Sequence, residues 1–129
     1  MPAELTVLVL AALLMVVQMA LPPMLGRGQA PPDWHASPRD VPVVLTGRAG
    51  RAERAYRNLL EALLLFLVAV VALILADRAT GLTAGLAWLW LVARVLYVPA
   101  YILGLSPWRS AIWGVGFLAN LVMLGTALI

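Results

Sequence analysis

The segment Arg51-Ala-Glu-Arg-Ala-Tyr-Arg-Asn-Leu-Leu-Glu61 is followed by residues 62–76, which contain no charged or polar side chain. The stretch from about Arg54 to Ala76 is long enough to cross about 30 Å of hydrocarbon as a helix, which takes about 20 residues. It therefore predicts a membrane-spanning helix that begins with a cluster of charged and amide side chains.

The rest of the chain has the same apolar character. Of its 129 residues, 64% are hydrophobic and 12% are charged, which leaves too little polar surface to cover a soluble globule. Four apolar runs qualify as spans, at about residues 5–25, 54–76, 82–103 and 110–129. Because the first run follows Glu4 and has no basic region before it, we interpret it as a span and not as a signal peptide. The sequence predicts an all-α fold, a four-helix transmembrane bundle in which residues 1–129 form a single domain.

The arginines predict the orientation of this bundle, since short cytoplasmic loops are rich in Arg and Lys. The first connection carries Arg27, Arg39, Arg48 and Arg51, and the third ends at Arg109. The termini contribute only Glu4. We therefore expect both termini on the non-cytoplasmic side and the charged start of the second span on the cytoplasmic side.

Several kinds of function are excluded by composition. The chain has no cysteine, so any thiol chemistry requires a bound thiol. All nine basic residues are arginines beside or inside spans and form no exposed tail, so we expect no nucleic-acid partner. His35 lacks partners at metal-ligand spacing, and we expect no metal site.

The charged start of the second span has a helical pattern. Residues three, four and seven apart share a helix face, so Arg54, Arg57, Asn58 and Glu61 are expected to form one polar stripe, with Arg51 one turn before it. An ionisable group inside a membrane costs about 2.5 to 3.5 kcal/mol on insertion scales, so such a stripe faces a partner helix, a cavity or a ligand. We interpret it as half of an anion-binding site.

The third span carries a second group on one face, formed by Arg94, Tyr97 and Tyr101. Arg94 could meet Glu61 across the helix interface. One interpretation is a structural ion pair that sets the helix register. The other is a ligand site, because one such pair leaves the remaining arginines uncompensated at a cytoplasmic cleft, where an acidic small molecule would supply the missing charge.

Alternatives remain for individual side chains. Arg51 and Arg109 could anchor to lipid phosphates, and the two tyrosines could serve packing or an aromatic belt. In the fourth span, Gly114 and Gly116, with Asn120 one turn beyond, indicate close helix packing and one hydrogen-bonding side chain.

Two motifs together resemble the MAPEG family, the membrane-associated proteins in eicosanoid and glutathione metabolism. The first is Glu53-Arg-Ala-Tyr-Arg-Asn-Leu-Leu-Glu61, which is similar to the signature of the family's second helix. The second is Ala93-Arg-Val-Leu-Tyr-Val-Pro-Ala-Tyr101, followed by Pro107-Trp-Arg-Ser110. It resembles the third helix and the start of the fourth, especially in bacterial members.

The resemblance implies a homotrimer that binds glutathione between neighbouring subunits, in a cleft open to the cytoplasm. Arg109 matches the arginine that stabilises the glutathione thiolate in catalytic relatives. By positional match, Arg54, Arg57, Asn58 and Glu61 would hold the carboxylates and the amine of glutathione, and Arg94, Tyr97 and Tyr101 would be further wall contacts. Arg51 would contribute from an adjacent subunit.

The function implied is that of a transferase or peroxidase in a bacterial inner membrane. It would use glutathione as co-substrate and act on lipophilic electrophiles or lipid hydroperoxides that arrive from the membrane lipid. One alternative is a non-catalytic member of the same fold that binds glutathione or lipid or has an assembly role. Another is a small four-span exporter, which would require a carboxylate deep in an early span, whereas the first span has only Glu4 at its edge.

Overall fold

The computed structural model describes residues 1–129 and contains four long helices. They are α1 (Ala3–Leu25), α2 (Gly47–Leu75), α3 (Gly81–Ile102) and α4 (Trp108–Leu128). Each is long and apolar enough to cross a membrane. A short 3-10 helix, Trp34–Ala36, lies in the first connection. The predicted all-α, four-helix transmembrane architecture is thus confirmed.

The helices pack with α2 and α3 at the centre. These two helices contact each other, and each also contacts α1 and α4, whereas α1 and α4 lie at opposite corners. The rings of Phe66 on α2 and Trp90 on α3 are stacked, with centroids 4.0 Å apart. Because α2 and α3 touch every other helix, side chains on them can form sites with either neighbour.

The helix that contains the second predicted span extends well before it. α2 begins at Gly47, about one turn before Arg51, and its 29 residues span about 43 Å. This length exceeds the roughly 30 Å of a hydrocarbon core. Hydropathy detects only the apolar part of a helix, but the preceding Ala, Arg and Glu residues are strong helix formers and continue it. The first turns of α2, with Arg48 and Arg51, therefore extend beyond the apolar layer.

At the opposite end of the bundle, a buried carboxylate joins α1 to α3. The Thr83 hydroxyl donates a 2.5 Å hydrogen bond to Oε1 of Glu4, which is only 2% exposed. Thr83 also forms a reciprocal cap with Thr80, in which the backbone N–H of each residue donates to the hydroxyl oxygen of the other. These contacts fix the start of α3 against the first turn of α1.

The connection between α1 and α2 is closed at its base by a side-chain clasp. The Thr46 backbone N–H donates to Oε1 of Gln29 at 2.8 Å, and Nε2 of Gln29 donates to the Thr46 carbonyl at 3.3 Å. Inside the loop, Nε1 of Trp34 donates to the Val41 carbonyl at 2.6 Å. This connection, which contains Pro31, Pro32, Pro38 and Pro42, is therefore irregular but internally bonded.

Candidate functional site

Three arginines surround one tyrosine at the end of the bundle where α2 begins. Arg51 and Arg54 lie one turn apart on α2, Tyr101 is in the last turn of α3, and Arg109 is in the first turn of α4. These four residues line a cavity of about 250 Å³, and none of the residues that line it is acidic. The cavity, which we call the arginine cavity, is completed by Gly104, Leu105 and Ser106.

Each arginine is held by a different contact. Nη1 of Arg51 donates a 3.1 Å hydrogen bond to the carbonyl of Ile102 at the end of α3, and Nε of Arg54 donates to the Tyr101 hydroxyl at 3.3 Å. Cζ of Arg109 lies 4.7 Å from the centroid of the Tyr101 ring. All three contacts are with groups that carry no formal charge, so the cavity keeps its positive charge.

The turn after α3 depends on a glycine. Gly104 has a φ of 68°, in the left-handed region that side chains with a Cβ rarely adopt. A Cβ at this position would also stand 3.5 Å from Nη1 of Arg51. The glycine lets the chain reverse close to that arginine and enter α4.

A second cavity, of about 280 Å³, shares Tyr101 and Arg109 with the first. Its lining residues are Asn58, Tyr97, Tyr101, Arg109, Ser110 and Trp113. The Tyr97 and Tyr101 rings meet edge to face, with centroids 5.6 Å apart. We call it the tyrosine cavity; the shared residues make it a direct neighbour of the arginine cavity.

A third cavity, of about 110 Å³, lies between α2, α3 and α4 and shares Asn58 and Trp113 with the tyrosine cavity. We call it the deep cavity. It is lined by Asn58, Glu61, Ala62, Leu65, Trp90, Arg94, Trp113, Phe117 and Asn120. The three cavities therefore follow one another from the arginine end of α2 toward the middle of the spans.

The partner of Arg94 differs from the prediction. Arg94 is 3% exposed, and its Nη1 donates a 2.8 Å hydrogen bond to Oδ1 of Asn58, while its Cζ lies 4.5 Å from the Tyr97 ring centroid. Glu61 lines the same cavity but forms no ion pair within the subunit. The expected Arg94 to Glu61 pair is absent because the register between α2 and α3 brings Asn58, one turn before Glu61, opposite the guanidinium.

Arg57 also departs from the expected stripe. Successive helical residues are about 100° apart, so Arg57 cannot point in the same direction as Asn58. Its Nη2 lies 2.8 Å from Oε1 of Glu53, and this exposed pair borders a different cavity of about 550 Å³ beside the first connection. Every other predicted site residue lines at least one of the three linked cavities.

Some residues of the linked cavities were not predicted as site residues. Ser110 and Trp113 follow Arg109 on α4, and Trp90 lies one turn before Arg94 on α3. Asn120 was expected to form a hydrogen bond that supports helix packing, yet neither atom of its buried amide has a partner in the subunit. The sequence signal that could have identified Asn120 as a site residue was its polarity, because an amide side chain in an apolar span is costly without a function.

The linked cavities combine charge and apolar surface in a way that suits two reactants. Guanidinium groups stay protonated and pair well with carboxylates, so the arginine cavity suits a water-soluble anion. The deep cavity has mostly aromatic and aliphatic walls and suits an apolar molecule. Arg109, Tyr101 and Ser110 lie between them.

A sequence model of the MAPEG family matches residues 5–129, which is nearly the whole chain. Searches of curated proteins and of solved structures gave no significant match. The family match covers all four helices and the three linked cavities. The chain therefore belongs to the MAPEG family.

Proposed function

We propose that this protein is a glutathione-dependent membrane transferase or peroxidase that acts on lipophilic electrophiles or lipid hydroperoxides. The observation that carries the proposal is the arginine cavity, where Arg51, Arg54 and Arg109 converge without an acidic neighbour. Such a cavity requires an anion. Glutathione, with two carboxylates, an amine and a thiol, is the anion that family membership favours.

Each part of glutathione has a counterpart among the lining residues. Arg51 and Arg54 would hold a carboxylate, because the guanidinium fork matches two carboxylate oxygens. Glu61 has no ion-pair partner within the subunit and would receive the ammonium group. Arg109 would face the sulfur, and Tyr97 and Tyr101 would form the wall of the cavity between them.

The chemical role of Arg109 would be to stabilise the thiolate. The thiolate and not the thiol is the nucleophile, and a neighbouring guanidinium lowers a thiol pKa. In a transferase, the sulfur then forms a bond to the electrophilic carbon as the leaving group departs with its electron pair. In a peroxidase, the thiolate would attack the terminal peroxide oxygen, and the O–O bond would break so that the alkoxide leaves and takes up a proton to become the alcohol. A second glutathione would then attack the sulfur of the resulting sulfenic acid, which releases water and forms glutathione disulfide.

The site would be completed by assembly as a homotrimer in the inner membrane, with the arginine end in the cytoplasm. Arg57 supports this part of the proposal, because it lies on a face of α2 that points away from the subunit's own arginine cavity. In a trimer that face would be available to glutathione held by a neighbouring subunit. The lipophilic acceptor would arrive from the bilayer, where apolar molecules concentrate.

Ultraviolet difference absorbance of the detergent-purified protein with glutathione tests the proposal, because the thiolate absorbs and the thiol does not. We expect a thiolate band in wild type that is lost in Arg109→Ala. The matched control is Arg78→Ala, an arginine in the connection at the opposite end of the bundle, which should keep the band.

Two other outcomes are informative. Glutathione binding without a thiolate band in wild type would favour the non-catalytic alternative. No binding at millimolar glutathione would overturn the proposal, and the arginines would then be assigned to contacts with lipid phosphates.

A further inference from the structure

The cavity of about 550 Å³ beside the first connection is separate from the three linked cavities. Its walls come from the end of α1, from the connection and from the outward face of α2. We call it the loop cavity. Of the arginines in its walls, Arg57 is paired with Glu53 at 2.8 Å, so this pair adds no net charge. The net charge of the loop cavity therefore depends on its other arginine.

That arginine is Arg39, which is held in place by uncharged groups. Its Nε and Nη2 donate to the His35 carbonyl at 3.1 and 2.7 Å, and its Cζ lies 5.4 Å from the centroid of the Trp34 ring. Asp33 and Asp40 share a neighbouring hollow of the connection with it, but neither is within ion-pair distance. Nη1 makes no hydrogen bond in the subunit. Arg39 thus brings an uncompensated positive charge with free N–H donors to the loop cavity.

The backbone of Arg39 is strained. Its φ is 60°, in the left-handed region that a residue with a Cβ rarely adopts and that glycine adopts without strain. The strained turn is stabilised locally, because the Arg39 N–H donates to Oγ of Ser37, which itself donates to the Trp34 carbonyl. Strain of this kind persists where the surroundings enforce it, and it is concentrated at ligand sites. An arginine at a position better suited to glycine indicates a role for the guanidinium.

The remaining walls indicate what the guanidinium binds. Met19 on α1 and Leu60 on α2 line the loop cavity and are also exposed on the outside of the spans. Met19 lies six residues before the end of α1, about 9 Å along the helix, whereas Arg39 lies in the connection beyond that end. A ligand that fills the cavity therefore has an anionic group outside the spans and an apolar chain beside them. A phospholipid has this arrangement, and its phosphate oxygens match the guanidinium donors.

We propose that the loop cavity binds one phospholipid from the leaflet at the arginine end of the bundle. Its phosphodiester group contacts Arg39, and one acyl chain lies against Met19 and Leu60. The cavity opens where the surrounding medium is lipid, so phospholipid is the most concentrated anion at this level. The bound lipid connects the first connection to the spans. This site is additional to the proposed glutathione site and does not require it.

The test measures the alkylation rate of a single thiol, since the chain has no cysteine of its own. Val43→Cys places the thiol in the wall of the loop cavity. Val44→Cys is the matched control, because that neighbour is 82% exposed and does not line the cavity. The protein is purified in detergent, stripped of lipid and treated with a water-soluble maleimide. The probes are dioleoyl phosphatidylglycerol, dioleoylglycerol, which lacks the phosphate, and glycerol phosphate, which lacks the chains.

We expect phosphatidylglycerol to slow the alkylation of Val43→Cys by at least about fivefold and saturably, as for a charge-assisted guanidinium contact, and the other two probes to have little effect. Val44→Cys should react at the same rate throughout. Arg39→Gly removes the guanidinium and relieves the backbone, and should abolish the protection. Leu60→Trp fills the apolar part of the cavity and should weaken it. Arg48→Ala, at the same end of the bundle but outside the cavity, should preserve it.

Several results would overturn the proposal. Equal protection by dioleoylglycerol would show that the phosphate is not recognised, and equal protection by glycerol phosphate would indicate a site for a soluble phosphate. Protection that survives Arg39→Gly would exclude Arg39 as the contact. A thiol that phosphatidylglycerol does not protect would also overturn it, and a slow rate without lipid would then assign the cavity to a contact with another subunit. These measurements contain no glutathione, so the thiolate experiment on Arg109 is independent of them.

Discussion

Arg94 on α3 and Asn58 on α2 are joined by a 2.8 Å hydrogen bond between residues 36 positions apart in the chain. The bond lies where the tyrosine and deep cavities meet, since Asn58 lines both. It is the one hydrogen bond that Arg94 makes with a side chain in the subunit. This cross-link both joins the two central helices and orients a buried guanidinium.

The first prediction concerns the strength of this cross-link. Asn58→Leu should lower the free energy of unfolding by about 1 to 3 kcal/mol, because Arg94 is left buried with no acceptor. Arg94→Met together with Asn58→Leu should recover part of that loss. Thermal unfolding in detergent, run as a double-mutant cycle, measures the coupling. Strictly additive effects would show that the hydrogen bond contributes nothing to stability.

The second prediction separates the two roles of Tyr101 in glutathione affinity. Tyr101→Phe removes only the hydroxyl that accepts from Arg54, and should weaken binding by up to about tenfold, as one hydrogen bond is worth about 0.5 to 1.5 kcal/mol. Tyr101→Leu also removes the ring beside Arg109 and should weaken binding further. Isothermal titration calorimetry measures both. Equal affinities for the two variants would mean that the ring does not position Arg109.

The third prediction concerns the junction of α1 and α3. Thr83→Val deletes the hydroxyl that donates to Glu4 and caps α3, and should lower the free energy of unfolding by about 1 to 3 kcal/mol. Thr83→Ser keeps the hydroxyl and serves as the control, with a much smaller loss. Thermal melting followed by circular dichroism distinguishes them. If Thr83→Ser were destabilised as much as Thr83→Val, the methyl group of Thr83 would contribute as much to stability as its hydroxyl.

The fourth prediction compares two helical glycines. A Cβ at Gly50 would stand 2.6 Å from the carbonyl oxygen of Leu45, so Gly50→Ala requires the backbone to shift and should cost about 1 to 3 kcal/mol. A Cβ at Gly85 meets no atom within 4 Å, and Gly85→Ala should be neutral or stabilising by up to about 1 kcal/mol. Chemical unfolding of both variants provides the measurement. A destabilised Gly85→Ala would instead indicate that this glycine packs against another subunit.

The sequence was sufficient to predict which segments span the membrane but not where every helix begins. The ends of α1, α3 and α4 follow their apolar runs closely. The start of α2 lies before its apolar run. Its first turns are polar, so their helical state depends on helix propensity and on contacts such as that of Arg51 with Ile102. Hydropathy contains no information about a helix once it leaves the apolar layer.

The sequence predicted which face of α2 carries most of the candidate site, but not the axial register between α2 and α3. Helical spacing grouped Arg51, Arg54, Asn58 and Glu61, which line the linked cavities, but it also included Arg57, which borders a different cavity. It could not determine which of these residues stands opposite Arg94, because the axial offset between α2 and α3 is set by packing such as the stack of Phe66 on Trp90. Charge complementarity suggested Glu61 as the partner of Arg94, whereas the packing of the two helices brings Asn58 opposite Arg94. The sequence also could not show that the amide of Asn120 has no hydrogen-bond partner in the subunit.

The clasp between Gln29 and Thr46 has a consequence for how this protein can change over evolutionary time. Because these two residues bond to each other, they hold the two ends of the loop together whichever residues lie between them. Insertions, deletions or fused sequences within 36–42 would alter the loop while leaving the helices in place. The clasp makes this segment a place where new recognition features can be acquired without disturbing the membrane bundle.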